Sequence, residues 1–180
     1  MNLESGTSFA LSKPKILLMT SGYGLLLAGS IWLLQMNDTS IRAVKSIWSA
    51  PWFIHGLGGL GILLSGAIIV GLIRKLLDSS PGLVFDGRGL NDNSGLFSTR
   101  VIAWDDIAGF GVKRVNQRRF IYVQLKEPGK YLQNLGPFRR ASAWLNSFWV
   151  PSPVVITTAL LAGRFDDILN KAKSFLPESE

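Results

Sequence analysis

The chain has 180 residues, of which 47% are apolar and only 17% charged, with a formal charge of +7. It contains no cysteine and one histidine, so disulfides, thiolate chemistry, His-based triads and two-His metal sites are excluded, and zinc would have to be held without sulfur. Soluble domains carry roughly 25% charged residues, and the shortfall here is what a chain with part of its length in lipid would show.

Residues 1–15 read as a polar N-terminal tail ending in Lys13 and Lys15. Two uncharged runs follow, residues 16–36 and 53–73, each 21 residues long. At about 1.5 Å per helical residue either would reach roughly 30 Å, the thickness of a bilayer's hydrocarbon core. The pattern predicts a transmembrane hairpin, with residues 37–52 as an extracytoplasmic loop and the aromatics Trp32, Trp48 and Trp52 at interface level. The first run is too long for a signal peptide and no small-x-small cleavage site follows it. Lys13, Lys15, Arg74 and Lys75 flank the runs on one side, against Arg42 and Lys45 on the other. The richer side is expected inside, which puts both termini in the cytoplasm.

Small residues in the spans are expected to mediate close helix contact. Thr20, Gly24 and Ala28 recur every four residues on the first, and Gly61 with Ser65 on the second. Pairing of the two helices is the simple reading, self-association into a homo-oligomer the alternative, and a pore-lining second helix fits poorly because neither span contains an acid. His55, two residues into the second span, is expected to be an interfacial side chain rather than a ligand.

Residues 74–81 form a short linker, at most roughly 28 Å when extended, to a domain at residues 82–176, with 177–180 as a tail. Its period changes to two. Leu83–Phe85 leads into an Asp86-Gly87 turn, a second strand ends at Asp92, and a long strand is predicted from Phe97 to Trp104. Residues 107–115 and 119–126 then form a hairpin around Asn116-Gln117 that Pro128-Gly129 closes. In Pro137–Trp149, Phe138, Ala141, Trp144, Leu145, Phe148 and Trp149 fall on one helical arc, while Arg139 and Arg140 fall on the other. A strand resumes at Val154–Thr158. A C-terminal helix over Phe165–Leu176 buries Phe165, Ile168, Leu169, Ala172, Phe175 and Leu176, with Asp166 and Asp167 at its positive end. The expected class is α+β: antiparallel strands with an inserted amphipathic helix and a closing helix.

Paired spans, a short linker, several strands and a final helix, together with the segment Val101-Ile102-Ala103-Trp104-Asp105-Asp106-Ile107, resemble bacterial membrane proteins that carry a pleckstrin-homology-like (PH-like) domain. The resemblance implies a PH-like β-sandwich or barrel and a binding role close to the bilayer, and the expected location is the inner membrane. It assigns no functional residue and no cofactor.

No catalytic constellation is visible, and an enzyme is not expected. Asp105 and Asp106 are adjacent on a strand end and would point to opposite faces, which suits a turn. Asp86, Asp92 and Asn93 lack calcium-loop spacing, and Gly87-Arg88-Gly89 is no phosphate loop. Lys113, Arg114, Arg118 and Arg119 around one turn suit anionic lipid headgroups, or else merely solvate a sheet edge. The 137–149 helix is read either as lying in the membrane interface or as packing on the sheets. The expected function is a membrane-apposed binding domain for anionic lipid or a protein partner, the alternative an accessory subunit of a membrane enzyme or transporter. Nucleic acid is not expected, because Phe120 and Tyr122 are placed in a core strand.

Overall fold

The computed structural model describes residues 6–43, 50–96, 101–115 and 118–176. The chain divides into two units, one of residues 13–79 and one of residues 1–12 with 80–180.

The first unit is a pair of long helices, α1 (Lys13–Gln35) and α3 (Pro51–Leu77), with a short α2 (Asp38–Ala43) in the connection. Pro51 sits in the first turn of α3, where its missing N–H costs nothing. At 23 and 27 residues the long helices run about 35 and 40 Å. They are antiparallel, and the ammonium of Lys13 donates to the carbonyls of Lys75, Leu76 and Asp78 at 3.3, 2.6 and 2.5 Å. A cation at the carbonyl end of a helix satisfies orphan acceptors and the dipole together.

Contact between α1 and α3 follows a seven-residue repeat: Ile16 and Ser30 are buried on α1, with Tyr23 between them half-buried, and Gly58, Ser65 and Leu72 are buried on α3. The closest approach is at Ser30. A methyl group added to Gly58 would lie 2.9 Å from the Ser30 carbonyl oxygen, and one at Gly61 would collide with the Ser30 hydroxyl. Hydroxyls at this seam return to their own helix, Ser30 to the Leu26 carbonyl at 2.8 Å and Ser65 to that of Gly61 at 2.5 Å. The hydroxyl hydrogens of Ser30 and Ser65 are thus satisfied where water is excluded. The remaining surface is apolar and outward, including Leu18, Leu25, Trp32, Trp52 and Leu63. Only 11% and 17% of the most apolar stretches of α1 and α3 are buried, which separates them from core helices of a soluble protein. Both are long and apolar enough to cross a membrane.

The second unit is two antiparallel sheets and three helices. One sheet has the order β1-β2-β3-β4, from β1 (Thr7–Phe9), β2 (Leu83–Asp86), β3 (Gly89–Asp92) and β4 (Val101–Ile102). The other is β5-β6-β7, from β5 (Ile107–Val115), β6 (Arg118–Leu125) and β7 (Val155–Ile156). α4 (Pro128–Gln133) and α5 (Pro137–Trp149) lie between β6 and β7, and α6 (Phe165–Ser174) ends the unit.

Part of the expected N-terminal tail is a strand. β1 pairs with β2 through Thr7↔Phe85, Ser8↔Val84 and Phe9↔Leu83, and Ala10, Leu11 and Ser12 continue by bonding to the segment at Leu160–Ala162. Phe9 then meets the buried Phe85 edge-on at 6.3 Å. On the core side, Trp104 stacks on Phe175 at 5.3 Å and Phe175 on Phe85 at 5.6 Å, so the last turn of α6 is held by aromatic faces. The Trp104 indole N–H donates to the Asp86 carbonyl at 2.7 Å.

The β2–β3 turn differs in detail from the Asp86-Gly87 expectation. Asp86 accepts from the N–H groups of Arg88 (2.8 Å) and Gly89 (3.2 Å), and the left-handed residue is Gly89, at φ 146°, where a methyl group would strike the Ile102 carbonyl. β4 is described only from Val101, since residues 97–100 lie outside the described set, and Trp104–Asp106 forms a 3-10 turn rather than a strand end. Pro128 starts α4 where a closing turn was expected, and α5 and the start of α6 fall at the predicted residues.

Gly61→Leu is expected to lower stability by about 1–3 kcal/mol through overpacking at Ser30, whereas Gly22→Leu, with no atom within 4 Å of the added Cβ, should cost nothing. SDS titration of the full chain in mixed micelles reads both; equal loss in the two variants would refute the seam.

Candidate functional site

The β5–β6 hairpin has every strand residue paired from Gly109↔Gln124 to Val115↔Arg118, apart from a bulge near Ala108. Alternation then sorts its side chains. Phe110, Ile121 and Val123 are buried on the core face, which runs outward through Val112 to the cross-strand pair Arg114↔Arg119. The outer face carries Gly111, Tyr122, Lys113, Phe120, Val115 and Arg118. Phe120 and Tyr122, expected in a core strand, lie in β6 beside the buried Ile121 and Val123, on its outer face, and are half-buried there. Ile121 and Val123 take the core positions because the alternation admits only one of the two sets. The Tyr122 ring lies across Gly111, filling the place where a side chain would stand.

Two arginines directly opposite one another repel. Here the repulsion is relieved from α6: Arg119 makes a two-pronged pair with Asp166, Nη1 to Oδ1 at 2.8 Å and Nη2 to Oδ2 at 3.2 Å. Its guanidinium also lies 4.2 Å from the centre of the Phe165 ring. Arg119 thus fixes the start of α6 to the hairpin. Lys113, Arg114 and Arg118 are exposed, and none of the three has a charged partner among the described residues. The Asn116-Gln117 turn lies outside the described residues.

On α5, the side chains of Phe138, Arg139, Ser142, Leu145, Asn146 and Trp149 also lie outside the described set. The rest of the helix is oriented. Ala143 is buried, as is Val150 just beyond the helix end, while Arg140, Ala141, Trp144, Ser147 and Phe148 are exposed. Trp144 and Phe148, one turn apart, meet edge-to-face at 4.5 Å.

Of the expected helix-contact residues, Gly61 and Ser65 lie at the α1–α3 seam. Thr20 is half-buried, with its hydroxyl on the Ile16 carbonyl at 2.9 Å; Gly24 has open space beside it, and Ala28 is exposed. Ser30 and Gly58 join Gly61 and Ser65 at the seam, and the seven-residue spacing 16, 23, 30 and 58, 65, 72 is the signal that marks the first two. His55 Nε2 lies 3.1 Å from Asp38 Oδ1, linking α3 to α2. Asp105 and Asp106 are exposed in their turn, and no group of three or more His, Asp or Glu gathers among the described residues.

No family model, curated protein or solved structure matches the chain.

Replacing Arg119 with Gln is expected to destabilise the β unit by about 1 kcal/mol, from a partly screened ion pair and a cation–π contact. Arg118→Gln should leave stability unchanged. Chemical denaturation followed by Trp fluorescence compares them, and identical midpoints would show that Arg119 has no role in holding α6.

Proposed function

We propose that the chain is an inner-membrane protein with two spans and both termini in the cytoplasm, presenting a PH-like domain that binds anionic lipid at the surface of the same bilayer. A binding and scaffolding role, without catalysis, is the reading. The observation that supports it most is the pairing of β1 with β2 across the helix pair. β1 precedes α1 and β2 follows α3, so both ends of the antiparallel hairpin must emerge on one side of any membrane it crosses. Chain length alone supports apposition. Phe9 and Lys13 are four residues apart and Leu77 and Leu83 six, which limits the two tethers to roughly 14 and 20 Å.

Two antiparallel sheets of four and three strands with a closing α6 support the PH-like reading. Lys113, Arg114 and Arg118, exposed and without a charged partner among the described residues, support a lipid headgroup as ligand, each contributing about 1 kcal/mol at an anionic surface. Arg119, engaged by Asp166, is left out of that count. Orientation rests on fewer free charges than the sequence tally, because Lys13 caps α3 and Lys75 is buried. The strand pairing supplies the stronger constraint that both termini share a side.

The basic hairpin is also a set of trypsin sites, which provides the test. In liposomes of phosphatidylcholine with phosphatidylglycerol, cleavage of the full chain after Lys113, Arg114 and Arg118 is expected to be slower than in phosphatidylcholine alone, and salt should remove the difference. Changing any one of these residues to Gln should weaken protection of the other two about fivefold. Equal cleavage in both lipids would exclude headgroup binding and leave a protein partner, captured by crosslinking in native membranes, as the ligand class. Release of the intact chain by alkaline carbonate would refute the membrane reading itself.

A further inference from the structure

We propose that α5 is a third membrane contact, lying in the plane of the interface with its Trp144–Phe148 edge in lipid. This rests on the reading of α1 and α3 as spans. The observation that carries it is the way α5 is turned. Ala143 is buried on α5, at 5% exposed, and Val150, just past the helix end, is buried at 4%. Ser147 and Arg140 lie about 40° and 60° around the helix from Ala143, and Trp144, Phe148 and Ala141 follow at about 100°, 140° and 160°, with Trp144 58% and Phe148 65% exposed. The side of α5 that carries Ala143 is therefore covered, and its two described aromatics are outward. Those rings touch each other at 4.5 Å and form one apolar edge.

The occupant is identified by chemistry and by tether. Along that edge the order runs from hydroxyl to guanidinium to indole to phenyl, which grades from headgroup to acyl chain as an in-plane helix requires. Arg140 suits a phosphate, and the indole N–H of Trp144 suits the ester region. The unit is joined to candidate spans through β1 and through β2, so a bilayer is the apolar phase that the chain cannot diffuse away from. A second copy of the chain or a partner protein is the competing occupant.

The chain has no cysteine, so single-cysteine variants can be spin-labelled without background. Trp144→Cys and Phe148→Cys alter exposed side chains only, and each is an independent probe. In the full chain in liposomes containing phosphatidylglycerol, both labels are expected to show an oxygen-to-nickel-chelate accessibility ratio several-fold above that of a label at exposed Ala108→Cys. A label at Leu63→Cys on α3 reports the span separately. Nickel access at 144 and 148 equal to that at 108, with Leu63→Cys oxygen-rich, overturns this inference and leaves the spans standing. Exclusion of both reagents at 144 and 148 means protein cover and also overturns it. Nickel access at Leu63→Cys removes the membrane reading and this inference together.

Discussion

The ladder between β1 and β2 is the constraint that the rest of the chain accommodates. It joins residues 7–9 to residues 83–85 and extends through the Gly82 N–H donating to the Phe9 carbonyl at 2.8 Å. Without β1, one edge of β2 would be unpaired and Phe85 would lose its edge-on neighbour Phe9. An unpaired edge is a site for unwanted pairing, and here it is closed by a strand from the far side of the helical insertion. The helix pair is in that sense an insertion in a β unit, with both of its ends returned to one sheet.

Within each unit, close approach is obtained where side chains are absent. In α1–α3 it is Gly58 and Gly61 that admit Ser30, and hydroxyls there are satisfied by their own helix. In the β unit, Gly111 admits the Tyr122 ring and Gly89 admits the backbone at Ile102. The charges divide similarly by role. Lys13 and Arg119 act as fasteners, the first on the carbonyl end of α3 and the second on the start of α6. Lys113, Arg114 and Arg118 make no such ion pair among the described residues and leave three exposed cations at the end of one hairpin.

Much of this was legible in the sequence because strong periodicity leaves few alternatives. The uncharged runs, the α5 arc and the α6 stripe each gave an element close to the expected bounds. Three features were not legible. Residues 7–9 carry too short a pattern to read as a strand, and only a partner at residues 83–85 makes them one, as in Thr7↔Phe85 and Phe9↔Leu83. Which face of β6 Phe120 and Tyr122 take was not legible either, since a run of consecutive apolar residues does not say which alternate set faces inward. The role of Arg119 depends on Asp166, 47 residues away, and no local pattern could separate it from Arg118. For the helices, spacing by four pointed to Gly24 and Ala28, whereas the contact follows a mixed three-and-four repeat through Ser30.

The order in which the sheet is made has a consequence for biosynthesis. β1 leaves the ribosome first, and its partner strand follows only after residues 10–82 have been translated. At about 5–20 residues per second, that is a wait of several seconds to more than ten. During that interval Phe9 and Leu11 have no sheet to join, and both helices of the insertion are produced before one is available. Completion of the β unit is thereby ordered after synthesis of the helical pair, so a finished sheet reports that the chain between its first two strands has been made.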